Sequence, residues 1–201
     1  MSGSTVIIKL EEQKFRRIYI CLAPLKVGFK AGCRKFLCLD GFFLKGQILA
    51  VIGLDVDNGI YPLAWVVVDV ENTQSWTWFV KLLSEDMAMD VDAEQWIVMT
   101  DQQKGLENAI SVKFPFVEHL LCVKYLHANW SKRFPGKTYK DMMWEAARTS
   151  NVQYLEDPMN EIKKVYVEAF EALEAFEALD MIDRKKWTKS ASRPARNGHF
   201  E

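Results

Sequence analysis

Apolar residues fall into short, regular runs from Lys35 onward. Lys35–Asp40 (KFLCLD) and Gln47–Asp55 (QILAVIGLD) have strand length, and the turn-like stretch Gly41–Gly46 separates them. Asp57-Asn58-Gly59 is a strong hairpin signal leading into Ile60–Asp69 (IYPLAWVVVD), so these two runs are expected to pair antiparallel. Asn72 or Thr73 then caps a helix through SWTWFVKLLSEDM, where Trp76, Phe79, Leu82 and Leu83 recur at helical spacing. Gln95–Asp101 (QWIVMTD) reads as a buried strand, Lys104–Phe114 as a helix and Val117–Val123 (VEHLLCV) as a short fifth strand. The order β-β-β-α-β-α-β predicts a layered α/β domain over residues 35–123, preceded by a mixed lead-in at 1–34.

The pattern changes after Lys124. Tyr125–Phe134, Tyr139–Thr149 and roughly Pro158–Met181 read as helices, with Thr138 and Asp141 as a capping box for the second, giving a helical region over 124–188. The hexapeptide EAFEAL occurs twice in succession, at 168–173 and 174–179. Six residues do not match the 3.6 period, so its apolar stripe drifts around the helix and suggests a local duplication on a solvated face. The polar tail 189–201 is expected to be disordered.

Composition narrows the function classes. An apolar fraction of 49% supports a real core, and a net charge of −1 is not the basic balance of an autonomous nucleic-acid-binding module. The four cysteines form no C-x-x-C pair, which reads as a reduced, intracellular chain. The longest apolar run, Tyr61–Val68, is too short to span a bilayer, so no membrane partner is expected. Phosphate-loop, dinucleotide, nucleophile-elbow and H-E-x-x-H signatures are absent.

What remains is a pair of acids at predicted strand ends. Asp40 is expected to close the first strand, with Gly41 letting the backbone turn away, and Asp101 closes the fourth. If those strands are parallel neighbours, the two carboxylates converge on one cleft, where they would suit a hard divalent cation. The competing reading for each is an ordinary turn former or helix cap.

FLCLDGFFLKGQILAVIGLDVDNGIYPLAWVVVDVENTQSWTWFVKLL, then MTDQQKGLENAI, FPFVEHLLCVKYLHANWSKRFPGK and KDMMWEAART, together resemble the core of plant Mutator-like element transposases, over roughly residues 2–190. The resemblance implies a ribonuclease-H-like (retroviral integrase-like) mixed sheet with strand order 3-2-1-4-5, followed by a helical insertion. It also implies a D-D-E enzyme that cuts and joins DNA strands with Mg²⁺ or Mn²⁺. Asp40 and Asp101 stand where the family has its first two catalytic, metal-binding acids. Lys45 and Lys104 match positions at the site's rim, and Lys45, Lys104, Lys132 and Arg133 are the implied DNA contacts. Transposon-end DNA, a second copy of the chain and a nuclear location are likewise implied.

Two departures stand out. Where the family carries C-x-x-H, this chain has Cys122 and Tyr125, flanked by His119 and His127 at a spacing that does not suit zinc. The family's third acid lies in a segment resembling LNNxxExFN, and no such segment occurs in these 201 residues. Glu145 has a spacing that integrase-like enzymes allow, but its neighbours match the insertion's own helix. The expectation is a transposase-like fragment inactive by itself, the alternative a domesticated, non-catalytic nuclear regulator that binds DNA or protein.

Overall fold

The computed structural model describes residues 3–43, 47–132, 135–148 and 186–187. The chain divides into two compact units, Met1–His119 and Leu120–Glu201. The first is built on a mixed sheet ordered β1-β2-β5-β4-β3-β6-β7. Its strands are β1 (Thr5–Glu11), β2 (Lys14–Cys21), β3 (Cys33–Phe43), β4 (Gln47–Asp55), β5 (Ile60–Val68), β6 (Ile97–Thr100) and β7 (Glu118–Leu121), the last spanning the division between the units. The helices of this unit are α1 (Ala23–Gly32), α2 (Thr73–Met87) and α3 (Lys104–Lys113).

β4 runs antiparallel to both β3 and β5, whereas β3 and β6 are parallel. The Asp57-Asn58-Gly59 turn closes as its sequence requires. Asp55 Oδ1 accepts from the backbone N–H groups of Asp57 and Gly59 at 2.9 and 2.7 Å, and Asn58 takes a φ of 64°. α2 is capped by Asn72, whose side chain accepts from Ser75 N at 2.9 Å.

Alternation along the strands sends Leu37, Leu39, Leu49, Val51, Val66 and Val68 to one face. There they pack with Phe29 of α1, Trp76, Phe79 and Leu83 of α2, and Leu106 and Ile110 of α3 in a single core. Phe29 stacks on Trp96 with centroids 5.9 Å apart, while Tyr19 and Trp76 both lie against Phe79.

The sheet is wider than five strands because residues 5–21, anticipated only as a lead-in, form β1 and β2. β2 alternates as a half-buried strand should, with Arg17, Tyr19 and Cys21 inward, and pairs antiparallel with β5. β1 escaped notice because nearly all of it is exposed. Its hairpin also turns on Glu12 and Gln13, at φ of 48° and 64°, a left-handed pair normally signalled by Asn-Gly. A second difference concerns Asp40, which does not close its strand. β3 continues through Gly41 to Phe43, which is paired with Gln47 of β4.

One partly buried network ties these extra strands to the helices. Asp86 of α2 accepts from Thr5 Oγ1 at 2.7 Å, Tyr19 OH at 2.8 Å and Lys26 Nζ at 2.5 Å. Burial opposes the Asp86 charge, but these three donors outweigh it and hold the carboxyl below the usual range. Burial also pushes the Tyr19 phenol up, keeping it a donor throughout the ordinary pH range.

In the second unit, α4 (Val123–Trp130) and α5 (Lys137–Arg148) carry Leu126, Trp130, Met143, Ala146 and Ala147 into a small core with Trp187. Thr138 lies inside α5 rather than capping it. The helix anticipated near 158–181, the EAFEAL repeat and the tail lie outside the described residues. All four cysteines are free thiols, and no helix among the described residues is long and apolar enough to cross a membrane.

Two predictions test this reading. Replacing Glu12-Gln13 by Asn-Gly should raise the melting temperature by several degrees, since each left-handed non-glycine residue costs about 1 kcal/mol. Asp86→Ala should cost about 3 kcal/mol in denaturant titrations by stranding the Lys26 ammonium. The folded pKa of Asp86 is depressed, so its contribution is complete above the unfolded aspartate value and is lost as pH falls through the folded value. The wild-type advantage over Asp86→Asn should therefore shrink on acidification.

Candidate active site

The parallel ladder between β3 and β6 builds the site. Phe36 pairs with Ile97, Leu37 with Val98, Cys38 with Met99 and Leu39 with Thr100. Asp40 and Asp101 each follow the last pair of that ladder by one residue, close enough for the charge of Asp40 to act on Asp101. By alternation Asp40 lies on the face opposite Leu39, away from the core beneath α2 and α3. Both acids are only half-buried.

The environment of Asp101 reflects this juxtaposition. Its pKa is raised, first by burial and then by the negative charge of Asp40, while the N–H of Gln103, at 3.1 Å from Oδ1, acts in the opposite sense. That hydrogen bond makes the chain turn immediately after β6 and points it into α3. Gln103 caps the helix, with its Oε1 accepting from Leu106 N at 2.6 Å.

Two glycines of the motif-bearing segments have packing reasons. A Cβ on Gly105 would lie 3.0 Å from Thr73 N and 3.2 Å from Asn72 C, so glycine lets the start of α3 nest against the start of α2. A Cβ on Gly41 would meet the Glu71 carboxylate at 2.8 to 3.0 Å. Gly41 thus leaves room for Glu71 rather than a turn, and Glu71 in turn accepts from Trp76 Nε1 at 3.1 Å.

Lys104 is the first residue of α3 and is exposed beside the acid pair's strand end. Lys132 is exposed in the second unit, its Nζ donating to Asn129 Oδ1 at 3.3 Å. Lys45 and Arg133 lie outside the described residues. Glu145 is exposed on α5 of the second unit. Among the described residues no three His, Cys, Asp or Glu side chains group as a metal site. The pair alone fits a hard cation that keeps most of its water.

Sequence reasoning missed the residues that hold Asp101. Thr100, 1% exposed, donates its hydroxyl to Asp101 O at 2.8 Å and lies 2.7 Å from His119 Nε2. Gln103 supplies the turn. Spacing gives no sign of the Thr100–His119 contact, which depends on where β6 and β7 come to rest.

Residues 36–129 match the sequence model of the MULE transposase domain. No curated protein matches the chain.

Because its folded pKa is raised, the ionised form of Asp101 costs stability above that value, and the cost disappears below the unfolded aspartate value near 3.9. Asp101→Asn keeps an oxygen for Gln103 N and should raise the melting temperature by about 2 °C at pH 7. The gain should vanish as pH approaches 3.5, and should be smaller in an Asp40→Asn background. A gain independent of pH would contradict the electrostatic account.

Proposed function

We propose that the chain, whose residues 36–129 match the MULE transposase domain, derives from an enzyme that cuts and joins DNA strands, with Asp40 and Asp101 holding a divalent cation. The observation that carries this reading is the β3–β6 register, which brings the two acids together inside the matched segment. The mixed order of β5, β4, β3 and β6, with β4 reversed, favours a ribonuclease-H-like arrangement for these strands.

The donor set suits Mg²⁺ or Mn²⁺, since both proposed ligands are carboxylate oxygens. When bound, such an ion lowers the pKa of an attacking water and offsets charge on the scissile phosphodiester. The chain's own residues orient and hold. Gln103 N fixes the Asp101 carboxylate, and Lys104 at the α3 N-terminus offers a cation to a phosphate. In the second unit Lys132, Lys137 and Lys140 are exposed and suit further backbone contacts. With a net charge of −1, DNA affinity should be weak and should fall steeply with salt, with little sequence preference. Lys45 and Arg133 belong to the same proposed set, as do self-association and a nuclear location.

A second reading, a non-catalytic DNA- or protein-binding derivative, is favoured by one observation. No third carboxylate groups with the pair among the described residues, and two-metal chemistry asks for a ligand to fix the second ion.

Manganese binding measured by electron paramagnetic resonance tests the site. The wild-type chain should bind Mn²⁺, and Asp40→Ala and Asp101→Ala should each abolish that binding. Indistinguishable binding by all three proteins would remove the site. On DNA bearing terminal inverted repeats, the 201-residue chain should give only the background shared by both variants. Metal-dependent nicking lost in both variants would instead establish a working nuclease.

A further inference from the structure

We propose that His119 is a positioning residue for Asp101, acting through the buried hydroxyl of Thr100. The inference rests on the reading of Asp101 as a metal ligand for its purpose, but not for its geometry.

The argument is one of proton counting. The Thr100 hydroxyl has one hydrogen and lies at hydrogen-bond distance from two groups, Asp101 O at 2.8 Å and His119 Nε2 at 2.7 Å. A carbonyl oxygen only accepts, so the single hydrogen goes to Asp101 O. Toward His119 the same oxygen must accept, which places a proton on Nε2. With Thr100 1% exposed, water is in no position to replace either partner, and a stranded buried polar group is costly. The imidazole therefore donates to the hydroxyl, and the hydroxyl donates to the Asp101 carbonyl.

The consequence falls on the acid. Thr100 is buried, and its hydroxyl holds the peptide group that follows Asp101. On the other side, Gln103 N holds the Asp101 carboxylate at 3.1 Å. The first contact fixes the peptide plane at the end of β6, and the second fixes the side chain against the start of α3. Rotation of that peptide would displace Gln103 N, the donor that holds the Asp101 carboxylate in place. His119, on β7, is the residue that orients the hydroxyl and so sets the plane. An acid used as a metal ligand must be held within about 0.5 Å, which makes such a relay a functional asset.

Three proteins decide the matter: wild type, His119→Ala, and His119→Gln, whose side-chain amide presents a donor close to the position of Nε2. In wild type at neutral pH, long-range ¹H–¹⁵N correlation spectra of the ring should show the Nε2–H tautomer for His119. The Nδ1–H tautomer would overturn the proposal. Amide exchange of Gln103 should speed up on the order of fivefold in His119→Ala, the effect of weakening one hydrogen bond. It should return to within about twofold of wild type in His119→Gln, with Val98 in the middle of β6 unchanged in both. Equal Gln103 exchange in wild type and His119→Ala would also overturn it, as would equal acceleration at Val98, which marks general loosening. If His119→Ala does not fold, the ring tautomer and the Gln103 exchange of His119→Gln still decide. Mn²⁺ affinity should fall severalfold in His119→Ala without loss of the site and recover in His119→Gln. Absence of Mn²⁺ binding by wild type would remove the metal reading alone, leaving the tautomer and exchange results to judge the relay.

Discussion

The parallel pairing of β3 with β6 is the constraint on which the site depends. Four residue pairs, ending at Leu39 and Thr100, set the relative height of the two strands, and that height alone makes Asp40 and Asp101 neighbours. A slip of one residue would send one of the acids to the opposite face, because side chains alternate with a period of two. The register is secured by burial. Leu37, Leu39 and Val98 lie in the core on one face, and Phe36 and Ile97 are buried on the other. A slip would carry Leu37, Leu39 and Val98 out of that core, which is what fixes the register.

The elements around this pair make the position rigid. α2 and α3 lie together over the core face, and their N-termini approach so closely that residue 105 must lack a side chain. This contact anchors the helix whose cap, Gln103, also holds Asp101. Farther out, Asp86 gathers donors from β1, β2 and α1 onto α2, so the wider sheet and the helical layer hold one another. Breaking that network loosens the platform beneath the site without touching the acids themselves.

Much of this was legible in the residues. The runs at 35–40, 47–55 and 60–69 alternate or fill as strands must, and the Asn58-Gly59 turn and the Asn72 cap are local signals that act locally. Strand ends in layered α/β sheets gather functional groups, but for Asp40 and Asp101 spacing leaves a turn or cap reading open, and only the family resemblance assigns them a role. What the sequence hid has physical causes. β1 is exposed almost throughout, so its composition carries no burial pattern, and its turn uses Glu12 and Gln13 against their preference. Gly41 looked like a turn because glycine usually is one, whereas its role is set by Glu71, distant in sequence. The Thr100–His119 contact joins two strands across a helix, and only the folded chain reveals it.

Asp101 illustrates how function and stability part company. Burial and the Asp40 charge both disfavour its ionised form, and backbone hydrogen bonds, chiefly from Gln103 N, only partly offset them. Asp86 is also partly buried, yet three donors, one of them an ammonium, hold its carboxyl low. Both acids meet a desolvation cost with opposite results, because Asp86 has three side-chain donors around it and Asp101 has the neighbouring charge of Asp40. Carboxylates that serve only structure are expected to resemble Asp86. A like-charged pair held at a strand end by a capped turn and a buried hydroxyl instead costs the fold energy, and such local conflicts are characteristic of functional sites.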